Sequence, residues 1–559
     1  MFGLMLTVLF SCRQGYEPYK TKPKLVIGIV IDQMRYDFLY RYWNKYGNGG
    51  FKRLLRQGYS CENTHYNYVP TYTGPGHAAI YTGCTPSVNG IVGNNWFERE
   101  DSFNMYCVYD STATAVGTDN LEAGQMSSRN LLVTTITDEL RMSNNQHSKV
   151  IGIALKDRAA ILPAGHCANA AYWYDGKTGK WITSDVYWDS YKGSLPGWVN
   201  KFNDKKLPEK YLSQIWNTLL PIKTYIESTG DSMDFEEPLK GEGQKYPVFP
   251  HRLPGIKGND YELLKTTPWG NTLTKDFAIE ALKNERMGQG NYTDFLAVSF
   301  SSTDYIGHQF GPNSIEIEDT YLRLDKDIED FLNFLDTYIG KDNALIFLTA
   351  DHGVVPIPAY LDRIVIPSGN FNTATSQFDY RENGKAVSKN VLEYILDQKY
   401  GDGPWVSAYM NQQIYFNREL LAARHIKLED IENETIAEIE NWAGVSKVYL
   451  LRDTWKEGSR DAATYVANGY YPKRSGDLYI QLDPGWIEGG YVGGLRKGTT
   501  HGSSSTYDTH VPLIWYGWRI PPGNTSAPVE ITDIAPTLAY FLRIQEPNGC
   551  TGNPINFRR

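Results

Sequence analysis

The chain has 559 residues, 41% of them hydrophobic, with a net charge of -9 and a mean hydropathy of -0.44. That length supports a large core. The acidic balance argues against a surface built to neutralise nucleic-acid phosphates, so no nucleic acid is expected as a specific partner. Beyond the first residues, no apolar run is long enough to span a bilayer.

Met1 to Ser11 is apolar and uncharged; Cys12 follows, then Arg13-Gln14-Gly15. Residues 1–20 therefore read as an export signal and linker. Leu9-Phe10-Ser11-Cys12 also resembles a bacterial lipoprotein cleavage box, in which Cys12 would carry the lipid and form the only attachment to a membrane. The expected location is the bacterial envelope, periplasmic or lipoprotein-anchored. The remaining cysteines are Cys61, Cys84, Cys107, Cys167 and Cys550. They form no Cys-x-x-Cys pattern, and export would permit one or two disulfides among them.

Several short apolar runs end in chemically useful residues. Leu25 to Ile31 leads into Asp32, and Val150 to Leu155 into Lys156-Asp157-Arg158. Phe295 to Phe300 leads into Ser301-Ser302-Thr303-Asp304, and Ala344 to Leu348 into Thr349-Ala350-Asp351-His352. Val511 to Tyr516 follows a His-bearing loop. Such runs predict strands buried on both faces. A helix is predicted over Tyr321 to Ile339, with Leu324, Ile328, Phe331, Leu332 and Leu335 at helical spacing. The alternation predicts an α/β fold, a mostly parallel sheet flanked by helices. In such sheets ligands bind beyond the carboxyl ends of the strands. Ala171 to Gly270, rich in Trp, Tyr, Pro and Gly, reads as long loops or a small insert. Residues 356–500 read as a cap region inserted into one catalytic domain made of 21–355 and 501–559.

The strand ends gather acids and histidines. Asp304-x-x-x-His308 places a carboxylate and an imidazole one helical turn apart. Asp351-His352 follows a strand, Asp32 ends the first strand, and His501 lies in a loop before the last core strand. Three Asp and three His of this kind suit Zn²⁺. A lone Asp-His pair is more often a surface turn, and it is the joint placement that points to metal. In Thr71-Tyr72-Thr73-Gly74-Pro75-Gly76-His77, Thr73 is expected at or near a helix N-cap. Helix N-termini favour an alkoxide or a phosphate, although a threonine there is often only a cap. His77 is read as packing, Asp37 as a structural ion pair and Asp533 as a cap. His65, His147, His166, His251 and His510 show no partner at ligand spacing.

Seven segments in order resemble the alkaline phosphatase superfamily, near its nucleotide pyrophosphatase/phosphodiesterase branch and most closely its bacterial phosphate-irrepressible phosphatases. They are IDQMRYDF (31–38), PTYTGPGHAAIYTG (70–83), GNNWF (93–97), LKDRAAILPAGH (155–166), STDYIGHQFGP (302–312), TADHGV (349–354) and THGS (500–503). The resemblance implies an alkaline-phosphatase-like fold and two zinc ions. One would be held by Asp304, His308 and His501, the other by Asp32, Asp351 and His352. Thr73 would be the nucleophile and a ligand of the second ion. Asn94, Lys156 and Arg158 would bind the phosphoryl group. The activity implied is hydrolysis of small phosphate monoesters through a phosphothreonine; the chain itself is expected to be a monomer. By formal charge, Lys156 and Arg158 balance a phosphoryl dianion better than a diester monoanion. The rival readings are a phosphodiesterase or nucleotide pyrophosphatase on the same scaffold and a non-catalytic exported binding protein. A sulfatase is disfavoured, because no Cys/Ser-x-Pro-x-Arg motif stands at the nucleophile.

Overall fold

A computed structural model describes residues 21–187, 193–255, 261–371, 377–382, 385–456, 462–489 and 496–557. The export signal and Cys12 lie outside these residues.

The expected strands form the middle of one ten-stranded sheet. Its five central strands, in spatial order 344–349, 25–31, 294–300, 150–154 and 170–175, all run parallel. The Leu25–Ile31 strand is central and buried along its whole length, which is why its sequence is continuously apolar. Antiparallel strands extend both sides: Leu513–Gly517 pairs with Ala344–Thr349, and Lys180–Ser184 with Ala170–Asp175. The sheet is thus mostly parallel, flanked by helices, as expected.

Two segments depart from the sequence reading. Ala170–Asp175 and Lys180–Ser184 belong to the main sheet rather than to a loop-rich insert. Their buried positions are filled by Tyr172, Trp173, Tyr174 and Trp181 instead of aliphatic residues; aromatics favour strands without giving an aliphatic run. The long helix spans Ile315–Tyr338 and starts six residues earlier than its periodicity implies. Ser314 caps it, its hydroxyl accepting from Ile317 N. Its first turns bury Glu316, Glu318 and Asp319 alongside Ile315 and Ile317, which hides the amphipathic stripe.

Between residues 391 and 482 a separate four-stranded sheet, in the order 406–410, 413–416, 478–482, 445–450, packs on the helices Val391–Tyr400 and Leu428–Ile439. It has a hydrophobic cluster of its own that includes Leu396, Trp405, Ile414, Ile431, Ile439 and Ile480. Its hairpin turn rests on the main body, where Asn411 Nδ2 donates to Asn95 O at 2.7 Å. The five described cysteines are free thiols, three of them buried, so none of the disulfides that export would permit links them here. The buried ones pack as small hydrophobes. No helix among the described residues is long and apolar enough to cross a membrane.

Candidate active site at the strand ends

Adjacent parallel strands deliver the site. Asp32 follows Leu25–Ile31, Asp351 and His352 follow Ala344–Thr349, and Lys156 follows Val150–Ala154. Asp304 and His308 lie on the helix Ser302–Phe310 that follows Asp294–Phe300. His501 arrives from the loop before Thr506–Thr509. Thr73 opens the helix Thr73–Thr82, every residue of which is buried. That helix lies hard against the cluster: a Cβ on Gly76 would sit 2.3 Å from Asp351 O, so only glycine permits the approach.

Two sets of donors converge. Asp32, Asp351 and His352 each offer one ligand atom within 4.8 Å of the others, and so do Asp304, His352 and His501. His308 joins the second set through its Nε2, 3.1 Å from Asp304 Oδ1. His352 therefore stands between the sets rather than within one, its ring stacked on His501 with centroids 3.5 Å apart.

The histidines share one orientation. His308 Nδ1 bonds Thr499 O at 2.8 Å, His352 Nδ1 bonds Gly353 O at 2.9 Å, and His501 Nδ1 bonds Thr71 O at 2.7 Å. A carbonyl only accepts, so each Nδ1 carries a proton and each Nε2 faces the carboxylates; against its burial, Asp304 raises His308, so that Nε2 shares a proton with the carboxylate until a metal displaces it. This backbone anchoring of one ring nitrogen is what metal-ligating histidines use. Asp351 Oδ2 is buried with no hydrogen-bond partner among the described residues. Among the described residues, the Asp32 carboxylate meets only the Lys156 ammonium, 2.7 Å from Oδ2, and His352, 3.5 Å from Oδ1. Buried carboxylates short of partners are costly unless a cation completes them. The donor set, its burial and its open valences fit divalent metal.

The electrostatics agree. Burial raises the Asp32 carboxyl to about 6, against the pull of Lys156. Burial and the neighbouring Asp32 push Asp351 well above the usual range. Burial also acts on Asp304, but His308 and Lys156 outweigh it and hold that carboxyl well below. Burial lowers His352 to about 3 and pushes His501 well below its usual value, which keeps both rings neutral and able to donate a lone pair.

Thr73 is the first helical residue and not the cap. Tyr72 holds the cap position and makes no side-chain capping bond. The Thr73 hydroxyl instead lies 3.4 Å from His352 Nε2 and 3.3 Å from Lys156 Nζ. Lys156 is buried between Asp32 and Asp304, at 2.7 and 2.5 Å, so it is no solvated turn residue. Asn94 Oδ1 accepts from Gly74 N at 2.8 Å, one residue from Thr73. Arg158 Nη1 donates to Tyr106 Oη at 3.0 Å, and its buried Nε has no hydrogen-bond partner among the described residues. The six metal-ligand candidates and Lys156 thus form one cluster that reaches the Thr73 hydroxyl, with Asn94 bonded to the residue after Thr73 and Arg158 two residues beyond Lys156.

Gln33 was not among them. Its backbone N–H donates to Asp351 Oδ1 at 3.1 Å and its side-chain amide to Asp304 Oδ1 at 2.7 Å, so one residue ties both donor sets. It does so with φ at 65°, the left-handed region, which is rare for a non-glycine residue. Its position directly after Asp32 was the one available signal. His77 packs as expected, bonding Thr73 O at 2.9 Å and Ser299 Oγ at 3.0 Å. Asp37 pairs with Arg35 and Arg41. Asp533 accepts from Glu530 N and Asn553 N, so it closes the short turn before its helix and pins the C-terminal tail. His251, which shows no partner in its local sequence, sits buried between Glu242 and Glu316.

Fold and site together define a class, and the chain belongs to the type I phosphodiesterase / nucleotide pyrophosphatase family, whose model matches residues 26–505. It is 44% identical over 539 residues to alkaline phosphatase PafA of Elizabethkingia meningoseptica, covering 96% of this chain and 94% of that one. It is 45% identical to alkaline phosphatase PhoV of Synechococcus elongatus, over 96% of this chain and 92% of the relative. A Myroides odoratus protein named calcium-transporting ATPase is 48% identical over 96% of this chain and 94% of its own. The crystal structure of wild-type PafA superposes with a TM-score of 0.90, covering 96% of this chain and 99% of that one at 44% identity. A solved PafA variant substituted at one Thr, one Asn, one Lys and one Arg gives 0.89 at 43% identity. The fold is alkaline-phosphatase-like, and the resemblance to the PafA-type phosphatases stands.

Proposed function

We propose that this chain is an exported, zinc-dependent alkaline phosphatase that hydrolyses small phosphate monoesters through a phosphothreonine at Thr73. The observation that carries the reading is the convergence of three histidine Nε2 atoms and three buried carboxylates in one strand-end cluster, with the Thr73 hydroxyl 3.4 Å from His352 Nε2. The names of the relatives support it. The four residue types substituted in the PafA variant recur here as Thr73, Asn94, Lys156 and Arg158, in the same order and at the same spacing.

Asp32, Asp351 and His352 would hold one zinc ion, and Asp304, His308 and His501 the other, with Thr73 beside the first set. Zinc held there supplies Lewis-acid stabilisation of the attacking and leaving oxygens. The chain does the rest. Thr73 oxygen bonds to phosphorus as the bond to the ester oxygen breaks, and the hydroxyl proton passes by way of solvent to the departing oxygen, which leaves as the alcohol. Water then attacks phospho-Thr73, phosphate leaves, and the hydroxyl is restored. Asn94, whose carbonyl oxygen already accepts from Gly74 N, offers its amide hydrogens to a phosphoryl oxygen. Lys156 brings a point charge and Arg158 a planar fork. Both favour a dianionic phosphoryl group over a diester.

Small monoesters are the partners this site suits. Neither a nucleic acid nor a second subunit is needed to complete it, and lipid at Cys12 would be the sole membrane tie. The test is a panel of monoesters and their methyl diesters, assayed with and without chelator. Monoester turnover that chelator abolishes and zinc restores is expected. Faster turnover of diesters would make the chain a phosphodiesterase, and no turnover of either would make it a binding protein.

A further inference from the structure

The hairpin that begins at Asn94 reaches the site twice. Its strands Asn95–Glu98 and Phe103–Tyr106 pair antiparallel with Asn95 opposite Tyr106, and Cys107 N donates to Asn94 O at 2.9 Å. One end holds Asn94 against the N–H of Gly74. The other sets Tyr106 over the start of the helix Asp157–Ala164. There the Tyr106 hydroxyl donates to Asp157 Oδ1 and accepts from Arg158 Nη1 at 3.0 Å. Asp157 Oδ1 also takes the backbone N–H of Arg158 at 2.6 Å.

We propose that Tyr106 is a positioning residue that aims the Arg158 guanidinium and so sets the preference for monoesters over diesters. The proposal rests on the reading of Arg158 as part of the phosphoryl grip. A phenol has one proton. Because Asp157 receives it, the oxygen can present only lone pairs to Arg158. The guanidinium is planar and rigid, so fixing Nη1 fixes the direction of the Nε–H as well. That Nε is buried and has no hydrogen-bond partner among the described residues. Without the phenol oxygen the guanidinium rotates about its long side chain, and a donor aimed at one phosphoryl oxygen is lost. The loss falls on substrates that present a charged oxygen there, and a methyl diester presents one fewer.

The test is Tyr106→Phe, which removes one oxygen and no packing volume. We expect kcat/KM for a monoester to fall roughly tenfold, and that for its methyl diester by about twofold or less, the scale of one hydrogen bond to a charged group. In an Arg158→Ala background the same change should have no further effect. Equal losses on the two substrates, or the same factor in the Arg158→Ala background, would overturn the proposal. The double variant decides even if Tyr106→Phe loosens the fold, because a general loss multiplies through the Arg158→Ala background and a positioning loss vanishes there. Arg158→Ala alone separates the two readings. If it lowers both substrates equally, the grip itself is misassigned. If it is selective and Tyr106→Phe is not, only Tyr106 falls.

Discussion

Two buried clusters of histidines and carboxylates lie in this molecule, and they are built on opposite plans. At the strand ends, His308, His352 and His501 each fix Nδ1 on a backbone carbonyl and turn Nε2 toward Asp304, Asp32 and Asp351, of which Asp32 Oδ1 and Asp351 Oδ2 find no hydrogen-bond partner among the described residues. On the far end of the helix Ser302–Phe310, packed against Phe310, His251 turns both nitrogens onto acids, Nδ1 at 3.2 Å from Glu242 and Nε2 at 3.0 Å from Glu316. Two donors make an imidazolium, and burial notwithstanding, its carboxylate partners raise it to about 9. One cluster is open to a cation; the other contains its own. Composition does not separate them. The direction of each ring's N–H does.

The largest effect that would break this contrast is at Thr73. Thr73→Ala should lower kcat by roughly 10⁴-fold or more, the scale of losing a nucleophile, while metal content measured by plasma mass spectrometry stays unchanged. Substantial residual turnover would return Thr73 to the role of a buried threonine in a packed helix.

Gln33 sharpens the open side. Gln33→Ala should weaken metal affinity by roughly 10- to 100-fold, as loss of an outer-shell partner does, read by titrating the apoprotein with zinc against a competing chelator. His251→Gln, by contrast, should leave the metal titration unmoved.

The closed side predicts a smaller, pH-dependent effect on stability. The folded pKa of His251 is raised to about 9 from its ordinary 6.5. Its contribution is therefore fully present below 6.5 and is lost as pH rises through about 9. Glu236, which burial and the nearby Glu316 hold protonated up to about 10, acts in the same direction. The wild-type melting temperature should fall by roughly 2–4 °C between pH 7 and pH 10. His251→Gln should melt lower at pH 7, with the gap to wild type narrowing by pH 10. A gap that widens with pH would mean that the ring is neutral in the folded protein.

The open cluster was legible in the sequence because its acids terminate strands that are apolar throughout, so each run points at its own functional residue. The closed one was not: Glu242 and His251 are loop and short-strand residues, and Glu316 comes from a helix 65 positions further on. The same distinction explains the fold. Leu25–Ile31 and Ala344–Thr349 announce themselves as aliphatic runs, whereas Ala170–Asp175 fills its buried positions with aromatics and reads as loop. The Thr73–Thr82 helix is buried all round, so no stripe marks it, and only its Pro-bearing start did. Left-handed Gln33 was hidden because a backbone angle leaves no trace in composition.

The most direct test of the account is the rate of a monoester against its methyl diester in Lys156→Ala/Arg158→Ala. If these cations grip a dianionic phosphoryl group beside Thr73, the monoester should lose at least about 100-fold more than the diester, since each charge-assisted contact is worth on the order of a factor of ten or more. Parallel losses on the two substrates would contradict it.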